Sequence, residues 1–482
     1  MKKSIKLYTL TIGFASLLAV GCKKGIDDFG NLNNNPNATT APITSALLTN
    51  VLSGLGSNVW GNSTNINGGL YCQYMSETQY TDASRYATPT TTWDGYYSGA
   101  LYDLQNIIIY NSDDATKEKA AENGSNANQI ATARILKAYY YKILTDAWGD
   151  LPYSGALQGE GAVVYDKQED VYPALIAELK EAAAQFDGGP AFKGDILYNG
   201  NTTKWKKFAN SLRAILALRL SKANGTLGQA EFADAIADGV IDNNTDNASL
   251  VYPGGVYRNP IYAYYVITQR FDYAISETMT DMLSGLSDPR INMYGHTALG
   301  FPYGLTRADA IAWSTANPGY GNLYAFTSTP QTFPMFILTA GQVYLARAEA
   351  AKLGWTGETA LTMYNNGITA EMNRWGITDG VAIAAYLAQP SVVLNGVDDV
   401  QRIAEQRWIA NYPDGNEGWA EWRRTGFPVL APAPGSGKPI PLRIPYGATD
   451  ELYNPDNYTD AASRYSSGGV MNSQDAAVWW DK

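Results

Sequence analysis

The sequence predicts a mainly α-helical protein: a tetratricopeptide-like scaffold of stacked helix pairs, with long loop-rich insertions and few short strands. Three observations predict this class. Apolar residues recur at helical spacing in several segments, two of those segments flank Gly354 at the distance of a helical repeat, and strand-like alternation is sparse. Since 45% of the 482 residues are apolar, the chain can also bury a sizeable core.

The clearest helical pattern covers residues 171–186, where Tyr172, Leu175, Ile176 and Leu179 fall on one face. The segment from 130 to 148 is apolar almost all round, which predicts a helix buried on most sides. Helical patterns of the same kind cover residues 205–216, 275–286, 337–353 and 359–375. The last two form a helix-turn-helix unit of about 34 residues, the size of a tetratricopeptide repeat.

Side chains inside these helical patterns divide into apolar core and buried charge. Trp148, Trp205 and Trp408 are predicted to be core residues, as are Tyr96 and Tyr97 before the next apolar run. Four arginines interrupt apolar helices and are expected to pair with buried acids such as Glu349 or Glu405; they are Arg213, Arg219, Arg347 and Arg407.

Four long segments lack a helical pattern and are predicted to be loops: residues 58–94, 242–265, 294–333 and 431–482. Structureless segments of this length are usually functional or disordered. Their tyrosine and tryptophan content argues against disorder, so the sequence predicts that these loops carry the function.

Composition excludes several functional classes. The net charge of −11 leaves no basic footprint for nucleic acid. His296 is the only histidine, so a mechanism that needs two histidines from this chain is excluded. Two cysteines, Cys22 and Cys72, cannot build a disulfide framework or a metal cluster, and Cys72 is expected to be a small buried residue.

The first residues read as an export signal. Lys2, Lys3 and Lys6 precede an apolar stretch, residues 7–20, that is too short for a comfortable membrane span. Small residues before Cys22 resemble a bacterial lipobox, although Ala19 stands where that motif prefers leucine. We therefore predict three parts: a signal peptide (1–21), a lipidated polar tether beginning at an acylated Cys22 (22–40), and one domain (41–482). An ordinary signal peptide with a chance cysteine is the alternative.

Seven short motifs, spread in order along the chain, resemble the SusD/RagB family of surface glycan-binding lipoproteins, in its second starch-binding-associated branch. They are the Asn-Pro-Asn stretch at 33–37, the helix and Gly-Asp-Leu-Pro turn at 138–153, the Trp-x-x-x-Ala-Asn helix at 205–217, Asp288-Pro289-Arg290, the repeat helix at 344–350, the Arg-rich helix at 402–408, and the turn at 417–424. No single motif is decisive, but their order over nearly the whole mature chain is specific.

The resemblance implies four stacked tetratricopeptide-like helix pairs on the outer face of the outer membrane of a Bacteroidota-type bacterium. It implies a SusC-like TonB-dependent transporter as partner, and glycan capture without catalysis. No cofactor is expected. Three alternatives remain: a peptide-capturing lipoprotein, a cap with no ligand of its own, and a glycoside hydrolase. The chain lacks the Gly-x-Ser-x-Gly, phosphate-loop and His-Glu-x-x-His motifs, while its acidic loops leave a structural calcium ion open.

A glycan site needs an aromatic platform for the apolar faces of sugars, surrounded by hydrogen-bonding side chains. The resemblance implies such a site on loops early in the chain and between its middle helices. The candidates in the first region are Tyr80, Asp82, Arg85, Tyr86 and Trp93; those in the second are Tyr257, Asn259, Tyr262, Tyr303, Trp313, Asn317 and Tyr320. None falls in a residue-for-residue family motif, and loop packing is the alternative role for each.

Overall fold

The computed structural model of the protein describes residues 42–159, 161–324 and 330–482. The predicted signal peptide, the tether and Cys22 lie outside these ranges. The helices are α1 (Thr44–Val59), α2 (Ser63–Tyr71), α3 (Asp94–Tyr96), α4 (Tyr102–Ser112), α5 (Lys117–Ala120), α6 (Asn126–Trp148), α7 (Gln168–Gln185), α8 (Thr202–Arg219), α9 (Gly225–Asp238), α10 (Pro260–Tyr262), α11 (Glu277–Gly285), α12 (Ile291–Tyr294), α13 (Arg307–Ala316), α14 (Ala340–Lys352), α15 (Ala360–Arg374), α16 (Gly380–Leu387), α17 (Asp399–Asn411), α18 (Gly415–Thr425), α19 (Ala448–Tyr453) and α20 (Pro455–Arg464).

Strands are few and short, as predicted. β1 (Met75–Glu77) pairs antiparallel with β3 (Tyr273–Ile275), and β2 (Ala248–Leu250) pairs antiparallel with β4 (Met335–Leu338). Short 3-10 turns cover Ala121–Asn123, Asn244–Asp246 and Trp479–Asp481, and π-helical segments cover Tyr97–Leu101 and Ala263–Ile267.

Consecutive helices pack in pairs, and the pairs pack on one another, which confirms the predicted helical-repeat scaffold. The pairs are α6 with α7, α8 with α9, α14 with α15, and α17 with α18. Successive pairs meet through contacts of α7 with α8, α8 with α14, and α14 with α17. Residues Thr44–Lys482 form one compact unit. No helix in the described ranges is both long enough and apolar enough to cross a membrane.

Local sequence explains how these helices begin and end. α14 starts with a capping box, in which the Thr339 side chain and Gln342 satisfy each other's backbone N–H groups. α6, predicted to be buried on most sides, is buried along its whole second half. It ends at Gly149, whose φ of +87° favours glycine, and a Cβ there would lie 2.3 Å from the Tyr465 hydroxyl. Trp148, Trp205 and Trp408 are buried, as predicted.

A buried set of charged side chains joins the helix pairs at the centre of the protein. Arg219 on α8 donates to Glu417 at 2.5 Å, and Arg407 on α17 contacts Glu421 at 2.8 Å. Arg424 on α18 bridges Glu349 on α14, at 2.6 Å, and Glu421, at 2.8 Å. We call this set the central ionic cluster; it comprises Lys142, Asp146, Arg219, Glu349, Arg407, Glu417, Glu421 and Arg424. All its members are buried, so it stabilises the stack only because each charge has a partner.

The predicted pairing of the helix-interrupting arginines with buried acids is confirmed for Arg219 and Arg407. The other two arginines pair with acids that keep part of their surface exposed. Arg407 does reach Glu349, at 3.4 Å. Arg213 instead contacts three acids on α9, and Arg347 pairs with Glu358. Glu405 accepts a hydrogen bond from Gln401 at 2.8 Å. Sequence identified the charges that need partners, while helix packing chose the partners.

All four predicted loops contain helices, so the prediction of structureless loops was wrong; the segment 242–265 holds the strand β2 and the short helix α10. The segment 58–94 holds α2, whose Gly68 and Gly69 pack against Gly415 of α18 so closely that a Cβ on Gly68 would lie 2.4 Å from the Gly415 carbonyl oxygen. Such a glycine-rich helix shows no apolar periodicity, because its stability comes from that contact. The segment 294–333 holds α13, and 431–482 holds α19 and α20.

Candidate functional site

The pairing of β1 with β3 brings the two predicted ligand regions together. Met75 lies opposite Ile275, and Glu77 lies opposite Tyr273. The ladder continues where the Thr78 N–H donates to the Asp272 carbonyl oxygen at 2.8 Å. Because the chain leaves β1 directly into Tyr80, the first region lies beside residues that are almost 200 positions later in the sequence.

A cleft of about 390 Å³ opens beside this two-stranded sheet. We call it the aromatic cleft. Three aromatic side chains form one part of its lining: Tyr264 meets Trp60 edge to face with ring centroids 5.1 Å apart, and lies 6.0 Å from Tyr273. Gly61, Ser63, Ile66, Asn67, Ala83, Arg270 and Asp272 complete the lining. Aromatic rings with polar groups around them suit a ligand that has both apolar faces and hydroxyls.

Asp272 is the hydrogen-bonding centre of the aromatic cleft. Its carboxylate accepts from Gln79 Nε2 and Arg270 Nε, both at 2.7 Å, and from the Tyr264 hydroxyl at 3.0 Å. Burial opposes ionisation of this carboxyl, but the three donors outweigh burial and lower its pKa below the ordinary value. The Arg270 side chain remains 59% exposed, so its guanidinium can also donate to a bound molecule.

A second aromatic group lies on the other predicted region. Phe301 is buried and contacts Trp313 and Tyr320 edge to face, at centroid distances of 4.7 and 5.1 Å. Trp313 and Tyr320 are half-buried, so each ring keeps some accessible surface. Tyr80 is 52% exposed, and the Arg307 guanidinium lies 5.3 Å from its ring centroid. We call Tyr80, Trp313 and Tyr320 the aromatic rim.

α13 positions part of this rim. Its N-cap Thr306 accepts from the Asp309 N–H, and Ala310 packs its apolar face against Phe301. Trp313 therefore projects from a helix rather than from the loop that the sequence predicted. Asn317 donates from Nδ2 to the Trp313 carbonyl oxygen at 2.9 Å and so completes the C-terminal end of α13.

Four sequence-predicted ligand residues are buried and have structural contacts. Tyr86 accepts from the Ala433 N–H at 2.9 Å, and Tyr303 is only 8% exposed beside it. Asn259 caps α10 and donates to the Phe333 carbonyl oxygen at 3.0 Å. Trp93 packs against Trp148 and donates from Nε1 to Asp450 at 3.1 Å.

The remaining predicted residues lie at or near the surface. Arg85 donates to the carbonyl oxygens of Gly304, Pro434 and Gly435, which ties the first region to two other segments. Asp82 is exposed, Tyr262 is half-buried, and Tyr257 is 70% exposed where it closes a tight turn with Gly254.

Sequence reasoning missed most of the aromatic cleft. Trp60 lay at the edge of a predicted loop, and Arg270, Asp272 and Tyr273 lay just beyond the end of another. The tyrosine-rich run at 262–273, which contains an Arg and an Asp, was the signal that could have identified this part of the cleft lining. Among the residues that the structure describes, no three His, Cys, Asp or Glu side chains lie close enough together to hold a metal ion.

Stacked helix pairs that carry an aromatic, hydrogen-bonding cleft on their connecting segments define a helical-repeat binding scaffold. The chain belongs to the SusD-like family described as starch-binding and associating with the outer membrane, because the model of that family matches residues 36–447. The family consists of binding proteins rather than enzymes. The predicted resemblance is thus confirmed.

Solved structures agree over most of the chain. One described as a chitin-binding protein is 27% identical, with a TM-score of 0.77 over 91% of this chain and 99% of that chain. A Bacteroidetes SusD-like structure is 26% identical, with a TM-score of 0.73 and the same coverage. A SusD homolog from Bacteroides uniformis is 25% identical, with a TM-score of 0.76 over 90% of this chain and 99% of that one. No curated protein matches the sequence.

Proposed function

We propose that the protein is a surface-exposed lipoprotein that captures oligosaccharides in the aromatic cleft and delivers them to a SusC-like TonB-dependent transporter. The observation that carries the binding step is the cleft itself, in which the half-buried rings of Tyr264 and Tyr273 stand beside the Asp272 carboxylate and the Arg270 guanidinium. Sugar rings have apolar C–H faces edged by hydroxyls, which this combination complements. The aromatic rim adds the same kind of surface on α13 and on the segments beside it.

The ligand is proposed to be a glycan on two grounds. The chain belongs to a family described as starch-binding, and a structure 27% identical to it is described as a chitin-binding protein. Among the described residues that line the aromatic cleft, Asp272 carries the only carboxylate. Glycoside hydrolysis ordinarily needs two carboxyl groups, so this lining favours capture over cleavage.

Attachment of the protein to the outer membrane is proposed from the sequence and the family. The lipobox-like segment ends at Cys22, and acyl chains on that cysteine would anchor the protein to the membrane. The family's description as associating with the outer membrane supports this location. The outward orientation and the transporter partner are proposed from the family resemblance. If the protein is purified from its native membrane, we expect the transporter to co-purify with it.

The binding step can be tested by calorimetric titration with malto-oligosaccharides, N-acetylglucosamine oligomers and a peptide mixture. We expect one glycan series to bind, and Tyr264→Ala to weaken it. A ring that covers roughly 50 Å² of a sugar face contributes about 1.2 kcal/mol, which corresponds to a loss of about eightfold in affinity. Trp313→Ala should weaken longer oligomers that reach the aromatic rim.

Tyr102→Ala is the matched control, because Tyr102 is 55% exposed on α4 and does not line the aromatic cleft. Equal binding by the Tyr264→Ala variant and the Tyr102→Ala variant would refute the assignment of the cleft. Binding of peptides but of no glycan would show that this protein captures peptides. Binding of neither would leave only the role of a cap on the transporter, without a ligand of its own.

A further inference from the structure

A second cleft, larger than the aromatic cleft, lies between the segment around Pro152 and Val163 and the C-terminal helix α19. Its volume is about 430 Å³. α19 starts at Ala448, one residue beyond the last residue that the family model matches, and supplies Thr449, Asp450 and Tyr453 to the wall. We call it the C-terminal cleft. None of its lining residues lines the aromatic cleft.

The floor of the C-terminal cleft is an aromatic cluster formed by Trp93, Tyr97 and Tyr165. Trp93 lies 5.4 Å from both Tyr165 and Tyr446, measured between ring centroids, and contacts Tyr97 edge to face at 6.2 Å. Only 4% of Trp93 is exposed, so the rings hold one another in place. Tyr453 lies at the mouth of the C-terminal cleft with 75% of its surface exposed. A bound group would thus meet buried aromatic side chains below and one exposed ring beside it.

Asp450 is held over this floor in a fixed orientation. Its Oδ1 accepts from Trp93 Nε1 at 3.1 Å, and its Oδ2 accepts from the Gly447 N–H at 2.9 Å. A second carboxylate, Asp94, is exposed at the edge of the cleft and accepts from the Thr92 hydroxyl at 3.1 Å. Burial, with a contribution from Asp94, raises the pKa of Asp450 above its ordinary value.

Neither carboxylate has a cationic partner among the described residues, unlike several other acids of the protein. Asp150, for example, is paired with Arg464 at 2.5 Å, and Asp272 with Arg270 at 2.5 Å. Two unpaired carboxylates above an apolar floor attract a positive charge more strongly than they would in open water. Aromatic rings near that charge add to the attraction.

We propose that the C-terminal cleft binds an organic ammonium group, with Asp94 and Asp450 as its counter-charges and Tyr453 beside its apolar carrier. An amino sugar and a lysine side chain both present this chemistry. An N-acetylated sugar or a neutral side chain lacks the charge and would leave both carboxylates unpaired. The inference stands apart from the proposed function, because it uses no residue of the aromatic cleft.

The experiment compares two matched pairs of probes by calorimetry at pH 7.0 on the purified protein. The first pair is the β-1,4-linked glucosamine dimer and its N,N′-diacetyl form; the second is Nα-acetyl-lysine methylamide and its Nε-acetyl form. We expect the charged member of one pair to bind and its acetylated partner to bind much more weakly. The pair that binds identifies the source of the ammonium group.

Asp94→Asn should weaken the charged probe about fivefold, on the scale of a partly exposed ion pair. Asp281→Asn is the matched control, since Asp281 is an exposed acid on α11 outside both clefts. Tyr264→Ala should leave this binding unchanged, which separates it from the glycan site. Equal binding of charged and acetylated probes, no binding of either charged probe, or an unaltered Asp94→Asn variant would overturn the proposal.

Discussion

Replacing Glu421 with Gln tests whether the central ionic cluster holds the helix pairs together. Glu421 is 2% exposed and contacts Arg407 and Arg424, each at 2.8 Å. Burial opposes its ionisation, but Arg407, Arg424 and Arg219 outweigh burial and hold its pKa well below the ordinary range. The carboxylate is therefore charged at neutral pH, and glutamine keeps its shape without its charge.

The expected cost follows from the balance of charges. The cluster contains four cations, Lys142 and three arginines, against four carboxylates, so the substitution leaves one buried positive charge without compensation. Removing one partner of a buried ion pair costs about 3–5 kcal/mol. Since domains unfold with about 5–15 kcal/mol in total, this loss is a large fraction of the stability.

Urea titration followed by tryptophan fluorescence measures this loss. The matched control is Glu122→Gln, since Glu122 pairs with Lys119 at 2.7 Å on the surface, with side chains 62% and 75% exposed. Such a surface pair contributes about 1 kcal/mol or less. If both variants lost the same small amount of unfolding free energy, the central ionic cluster would not be what holds the stack, and the reasoning would be refuted.

Three further predictions concern stability and localisation. Burial, opposed in part by Lys142, raises the pKa of Asp414 from 3.8 to about 7, so the folded state binds more protons than the unfolded state between these values. The stability that this group contributes is present below pH 3.8 and is lost as the pH rises to about 7. In urea titrations at a series of pH values, Asp414→Asn should therefore reduce the loss of unfolding free energy over this range. An unchanged pH profile would contradict the prediction. Trp93→Ala should cost about 3–5 kcal/mol of unfolding free energy, because the ring is buried against Trp148 and Tyr165. A melting curve like that of the wild type would instead favour the predicted role of Trp93 as a ligand residue. Cys22→Ala should yield protein without lipid that leaves the membrane fraction, and continued attachment would argue against lipidation.

The sequence predicted the repeat helices well and the candidate site only in part. α7 and α15 follow a clear apolar periodicity, because each buries one face against its neighbour. α2 does not, since Gly68 and Gly69 are selected by close contact with Gly415 rather than by a local pattern. For the site, the structure brings the two predicted regions together, and whether any of their residues contacts a ligand stays a prediction.

What local sequence cannot show is which aromatic side chains are accessible. Trp93 and Trp313 both lie in polar, tyrosine-rich segments, yet Trp93 is buried and Trp313 is half-buried. The difference arises from α19 and Tyr446, which cover Trp93 from the far end of the chain. The exposure of a side chain depends on contacts with residues that are distant in sequence, so the residues beside it along the chain do not predict it.

The sequence by itself determined the helical periodicity, the order of the helices, the acidic balance and the need of several buried arginines for acidic partners. These properties depend on residues three or four positions apart, or on composition, so they can be read without the fold. Only the tertiary structure decided that β1 pairs with β3 to build the aromatic cleft, which acids join the central ionic cluster, and that α19 closes a second cleft. Each of these joins residues tens to hundreds of positions apart, and packing alone brings them into contact.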